Sequence, residues 1–382
     1  MTACNQSSEK NQMKDLIDEN FQFAEKQYKF LMQDLPDDLI PHSYDAEKDE
    51  KINREISWWT TGFYPGSLWL IYEQTEDPEI RKEADRALEI IEPNKNYTGN
   101  HDVGFMIFCS YGNAFRITED STYYDPIPVA ADALISRYQP SMKSIQSWNK
   151  NQYWDQPVII DNMMNLELLN WVSDETGDDQ YKEIAINHAN TTLENHYRDD
   201  YSSYHVVDYD PETGEITKRK TWQGYGDDSA WSRGQSWGLY GFTMMYRFTK
   251  DEKYLDFAKN IADFILSHPN LPEDKIPYWD FDDPDLPEVP RDVSAATIMA
   301  SALLELGQYT NGEEKEAYIT AAEEILKNLS EETYRAAYQE NGGFILKHST
   351  GALPLNSEID VPLNYADYYF LEALKRYKDW YL

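Results

Sequence analysis

Two segments of the chain set a carboxylate directly ahead of an apolar helical run: His101-Asp102-Val103-Gly104-Phe105-Met106-Ile107-Phe108 and Asp161-Asn162-Met163-Met164-Asn165-Leu166-Glu167-Leu168-Leu169. Two carboxyl groups at one cavity can divide acid and base work, because burial raises the pKa of one while hydrogen bonds keep the other ionised. The plainer reading is a helix cap at each position, worth about 1 kcal/mol. The same placement on two separate segments favours one shared site holding both Asp161 and Asp102.

A third segment, Thr221-Trp222-Gln223-Gly224-Tyr225-Gly226-Asp227-Asp228-Ser229-Ala230-Trp231-Ser232-Arg233-Gly234-Gln235-Ser236-Trp237, mixes glycines, aromatics, amides and an arginine just before a helix. Rings that stack, with Arg and Gln to address carboxylate and hydroxyl groups, suit a sugar. A Gly-rich turn with structural tryptophans is the alternative. Trp59 lies in another aromatic stretch, Trp58-Trp59-Thr60-Thr61-Gly62-Phe63-Tyr64. His205 and His348 fall in long loops, where a lone histidine is usually just solvated, and no His or Cys spacing matches a metal site. The run Asp280-Phe281-Asp282-Asp283-Pro284-Asp285 lacks the ligand spacing of a calcium loop and reads as a solvated acidic loop.

Positioning these residues requires a repeated scaffold. A short signal recurs as Thr75-Glu76-Asp77, Thr118-Glu119-Asp120, Thr176-Gly177-Asp178, Thr249-Lys250-Asp251 and Thr310-Asn311-Gly312. Each reads as a turn between a strongly apolar helix and an amphipathic one, the pattern of a helical-hairpin array. Apolar helices are expected near 60–74, 102–117, 161–174, 231–248, 293–309 and 363–378. Amphipathic ones are expected near 13–34, 78–92, 122–138, 178–196, 251–268 and 313–329. Six inner and six outer helices predict an all-α fold, a single (α/α)6 barrel over residues 13–382, and fit it better than an open solenoid because neither terminal pair is a polar cap. Long connections at 139–160, 197–230, 269–292 and 330–362 would gather Trp59, His101, Asp102, Asp161, Arg233 and Asp292 at one mouth.

With 69 acidic and 34 basic residues the formal charge is −35, which argues against nucleic acid and anionic membranes as partners. Two cysteines allow no disulfide framework, and Cys109 reads as a small core residue. Residues 1–12 read as a flexible segment. Within it Met1-Thr2-Ala3-Cys4 is equally consistent with an ordinary terminus and with the remnant of a bacterial lipoprotein signal. The second reading implies a periplasmic protein anchored through Cys4; a cytoplasmic one is the alternative. No membrane-spanning segment is expected, and the protein should be a monomer or a weak homo-oligomer.

From about Trp58 onward the sequence resembles the unsaturated glucuronyl hydrolases of glycoside hydrolase family 88. The resemblance rests on the Asp102 and Asp161 segments, on Ser203-Tyr204-His205-Val206-Val207 and on Trp231-Ser232-Arg233-Gly234-Gln235-Ser236-Trp237-Gly238. It implies an (α/α)6 barrel with neither metal nor cofactor, acting on the unsaturated uronic acid that polysaccharide lyases leave at the non-reducing end of their products. Glycosaminoglycan products are favoured. By the same resemblance Asp161 is the general acid and base and Asp102 its partner, with Trp59, His101, His205, Gln223, Arg233, Trp237 and His348 around the substrate. The implied chemistry is hydration of a vinyl ether rather than displacement at the anomeric carbon. An unsaturated rhamnogalacturonyl or ulvan oligosaccharide hydrolase, and a non-catalytic oligosaccharide-binding protein, remain as alternatives on the same fold.

Overall fold

The structure, a computed structural model, describes the backbone of residues 2–382 and the side chains from Lys10 onward. The side chain of Cys4, on which a lipid anchor would depend, lies outside the described residues. Thirteen α-helices and one π-helical segment follow in order: α1 (Thr2–Leu31), α2 (Phe63–Thr75), α3 (Pro78–Ile91), the π segment (Gly104–Gly112) running into α4 (Asn113–Thr118), α5 (Ser121–Tyr124), α6 (Pro126–Ile135), α7 (Asn162–Thr176), α8 (Asp179–Asn195), α9 (Ser232–Thr249), α10 (Glu252–Ser267), α11 (Val293–Tyr309), α12 (Gly312–Leu329) and α13 (Asn364–Tyr381). The inner ring is α2, the π segment with α4, α7, α9, α11 and α13. Each packs on the next, and α13 packs back on α2, so the ring is closed. The fold is an (α/α)6 barrel.

The recurring turn has one physical design. In four of its copies the middle residue, Glu76, Glu119, Gly177 or Lys250, takes left-handed backbone angles that end the inner helix. The following Asp77, Asp120, Asp178 or Asp251 then accepts amide hydrogens from the first turn of the outer helix. The threonine hydroxyl accepts the amide of that aspartate, at 3.2 to 3.4 Å. A tight stop and start at this end leaves all long connections at the opposite, N-terminal end of the inner helices.

Several boundaries differ from those read in the sequence. The backbone of α1 is helical from Thr2, ahead of the expected residue 13. The outer helix expected at 122–138 is split into α5 and α6, because Pro126 opens a new helix and cannot continue the previous one. Seven short strands occupy connections read as loops. β1 (Ile40–Asp45) pairs with β2 (Glu50–Arg54), and β3 (Tyr138–Gln139) with β4 (Ser144–Ile145). β5 (Gln156–Ile159), β6 (Val206–Tyr209) and β7 (Ile216–Lys220) form an antiparallel sheet in that order. The run 280–285 is solvated only in part: Asp282, Pro284 and Asp285 are exposed, but Asp280 is fully buried and accepts the Tyr225 amide and the Ser229 hydroxyl, tying down the segment before α9.

One buried carboxyl joins the ends of the chain. Asp367, fully buried, accepts the amides of Ile345 and Leu346 at 2.9 Å and the Tyr28 hydroxyl at 3.1 Å, which fixes α1 and the last long loop against α13. Burial lifts its pKa to about 7. Inner helices also approach closely: a Cβ on Gly62, before α2, would stand 2.1 Å from the Phe105 carbonyl oxygen and 2.3 Å from that of Met106. Both obstacles are backbone, so Gly62→Ala should force the π segment away and lower stability by about 1–3 kcal/mol. Thermal unfolding at neutral pH checks this; an unchanged midpoint would show that the contact yields freely.

Candidate active site

The three-stranded sheet delivers two of the site residues to one another. β5 pairs with β6, and the ladder continues past the strands through the Ile160 amide, which donates to the His205 carbonyl at 3.1 Å. Asp161, the next residue, therefore enters α7 beside His205, whose Nε2 lies 3.7 Å from Asp161 Oδ2. The expected pair is brought together as well. Asp102 and Asp161 are 6% and 7% exposed, and the charge of Asp161 acts on Asp102.

Neither carboxylate is a helix cap. Asp161 precedes α7 but accepts no bond from its first turn, and among the described residues its Oδ2 has no hydrogen-bond partner. Asp292, by contrast, caps α11 through the Ser294 amide and is held by Arg233. Burial is the main cause lifting the Asp161 pKa to about 6, opposed by Arg233 and by the indole N–H of Trp237. That indole nitrogen is buried and makes no bond of full geometry. Burial, and then the charge of Asp161, also push the Asp102 pKa well up, with Arg137 opposing. Arg137, which the sequence reading did not single out, is itself buried and anchored by the carbonyls of Thr98 and Gln146.

The histidines are held neutral by burial. His101 is fully buried, with its pKa lowered to about 3; its Nε2 stands 3.3 Å from Asp102 Oδ1, and neither ring nitrogen has a hydrogen-bond partner. His205 has a defined tautomer. Its Nδ1 accepts the backbone amides of Trp222 and Gln223, both at 3.1 Å, so the ring proton sits on Nε2, the nitrogen facing Asp161. Trp231 packs against this ring at 4.6 Å between centroids and Trp148 meets it edge-on at 6.1 Å. Gln223 thus serves the site through its main chain, and its half-buried side chain makes no hydrogen bond among the described residues.

The remaining candidates divide. Trp59 lies at the mouth, against Tyr365 and Phe105 at 5.0 and 5.7 Å, while Trp237 is fully buried against Phe105. Arg233 is buried and occupied: Nη1 donates to Asp292 and to the Thr350 carbonyl, and Nη2 to the Gly351 carbonyl. Its Nε has no hydrogen-bond partner among the described residues, and its charge acts on Asp161 against the effect of burial. His348 is not brought to the aspartates; its Nδ1 bonds Asp360 at 2.6 Å and its ring faces Tyr334. No group of three or more His, Cys, Asp or Glu among the described residues is arranged to hold a metal ion.

The sequence profile of Glycosyl Hydrolase Family 88 matches residues 33–381. The chain belongs to glycosyl hydrolase family 88. It is a glycosidase with the barrel of that family. An unsaturated glucuronyl hydrolase of Formosa agariphila is 48% identical over 320 residues, 83% of this chain and 79% of the relative. An unsaturated chondroitin disaccharide hydrolase of Streptococcus agalactiae is 36% identical over 335 residues, 85% and 82% of the two chains. The crystal structure of an unsaturated glucuronyl hydrolase specific for heparin superposes with a TM-score of 0.92 at 45% identity, covering 96% of this chain and 97% of the other.

Two outcomes follow for this family 88 site. A carboxyl whose folded pKa lies above its unfolded value contributes fully at low pH and loses that contribution as pH rises from about 4 through about 6. Asp161→Asn should therefore stabilise the protein above pH 6, by on the order of 2–3 kcal/mol for a shift of this size, and change little at pH 4. Equal unfolding midpoints for the two proteins at pH 7.5 would contradict the raised pKa. Arg233→Lys cannot reproduce three bonds from a planar fork and should lower stability by about 1–3 kcal/mol. A normal midpoint with only a raised KM would instead assign the fork to substrate.

Proposed function

We propose that this family 88 enzyme removes the 4,5-unsaturated uronic acid from the non-reducing end of lyase-generated oligosaccharides by hydrating the C4=C5 bond. The observation that carries the reading is the setting of Asp161: a buried, uncapped carboxyl, its pKa lifted by burial to about 6, facing a neutral imidazole N–H. Such a group can give a proton and take one back within a single turnover.

In the proposed sequence protonated Asp161 donates to C4, and positive charge develops at C5, shared with the ring oxygen. Water then attacks C5 while the Asp161 carboxylate takes its proton, which restores the acid. The hemiketal formed at C5 opens to a keto sugar and the remaining oligosaccharide leaves. Asp102, which burial also holds toward its protonated form, donates to a ring hydroxyl; the His205 Nε2–H holds the acid's oxygen or the attacking water. Glycosaminoglycan fragments are the favoured substrates, since relatives carry chondroitin disaccharide and heparin in their names.

The test is a panel of lyase-generated disaccharides followed by loss of the ultraviolet absorbance of the conjugated enoate. Turnover should consume that absorbance, and in heavy water should place one deuterium stereospecifically at C4. Asp161→Asn should reduce kcat by about 10²–10⁴-fold or more with substrate binding retained. Because the acid must be protonated, kcat/KM should fall as pH rises past about 6. Sugar release with the absorbance intact would point to ordinary two-carboxylate hydrolysis, and activity of Asp161→Asn within tenfold of wild type would remove the assignment.

A further inference from the structure

The lumen of the barrel holds a second cavity, of about 650 Å³, at the C-terminal ends of the inner helices, opposite the mouth with the two aspartates. Aromatic side chains separate the two: Phe105 packs on Trp237 at 5.2 Å and Trp237 on Tyr369 at 5.5 Å, all three buried. The far cavity is lined by aromatic rings and by charges drawn from successive inner helices. Among the rings, Phe108 and Phe115 stand 5.5 and 5.9 Å from Trp171.

Its charges do not balance. On α11, Glu305 is nearly fully buried and takes Arg247 by two bonds, at 2.7 and 3.1 Å, together with Arg376 at 3.0 Å. Arg247 reaches on to Glu167 Oε1 at 2.6 Å, and Arg376 reaches Glu372 at 3.6 Å. Three carboxylates thus share two guanidinium groups. Burial raises the pKa of Glu372 against the lowering effect of Arg376 and of the Ser301 hydroxyl, and the charge of Glu167 adds to the rise. Among the described residues Glu167 Oε2 accepts no hydrogen bond, and Glu167 lines the cavity. The other basic side chains of the wall are engaged as well: Arg116 with Glu73, and Lys375 with Glu73 and Asp379.

We propose that this cavity is a binding site for an organic cation, a quaternary or protonated amine, seated against the aromatic wall with its charge facing Glu167. Aromatic faces and a carboxylate with one oxygen left to accept are the recognised chemistry for such a group, and a surface of net charge −35 concentrates cations near the opening. An anionic ligand would find the arginines already taken by carboxylates.

Titration calorimetry of the full chain tests this with choline and benzyltrimethylammonium as cations and 3,3-dimethylbutan-1-ol as the uncharged isostere of choline. Both cations should bind, and the isostere should bind at least roughly tenfold more weakly. Glu167→Gln removes the carboxylate charge together with its ion pair to Arg247, and Trp171→Leu removes a ring without touching the ion pairs. Each should weaken cation binding by roughly tenfold. Near-ultraviolet circular dichroism shows whether Glu167→Gln remains folded; if it does not, Trp171→Leu decides alone. Absence of cation binding, equal binding of the isostere, or unchanged affinity in folded variants would overturn the assignment.

Discussion

The structure turns on the cost of keeping two carboxyl groups out of water without pairing either. A direct salt bridge would stabilise Asp161 as an anion and fix it there, because a nearby opposite charge drives a carboxyl pKa down. The chain avoids this by giving the nearest arginine another partner. Arg233 is neutralised by Asp292 and by two loop carbonyls, so only its residual field reaches Asp161. Arg137 stands in the same relation to Asp102, held by carbonyl groups rather than by the carboxylate whose charge it moderates.

That arrangement needs a scaffold able to hold desolvated acids at a fixed spacing. Inner helices that all start at the mouth supply it, and the tight Thr-x-Asp turns at the other end supply the helices' common direction. Every aspartate in those turns is a capping residue at half-exposed or exposed helix starts, whereas Asp161, at the start of an inner helix, caps nothing. The same residue type performs two tasks, and the difference is burial. A cap can be satisfied by local amides, but Asp161 is left with an oxygen that nothing among the described residues bonds.

Much of this was legible in the sequence because it is local and periodic. The helix pairs, the ring and the matched carboxylates follow from apolar runs and repeated turns. The small sheet was missed although its signals are present: Val158, Ile159 and Ile160 form a β-branched run, and Val206 and Val207 precede a turn built on Asp210 and Gly214. Runs of four or five residues inside long connections carry too little period to stand against the helical pattern. Other features are not local at all. Nothing near Arg233 in sequence shows that Asp292 and the carbonyls at 350 and 351 will occupy its fork, and nothing near His348 shows that it will turn to Asp360.

The sheet also decides which groups can carry protons. By presenting two amides to one nitrogen of His205, the segment at Trp222 and Gln223 makes that nitrogen an acceptor and the other a donor, and burial keeps the ring from gaining a second proton. His101 is neutral for the same reason of burial. Neither imidazole is then free to act as a base toward a molecule in the cavity or to exist as a cation near neutral pH. The groups left to exchange protons there are the two carboxyls, and of these Asp161 is the one whose free oxygen faces the His205 Nε2–H. A reaction at this mouth is therefore led by an acid that must recover its own proton, which suits the addition of water across a polarised double bond better than a relay through histidine.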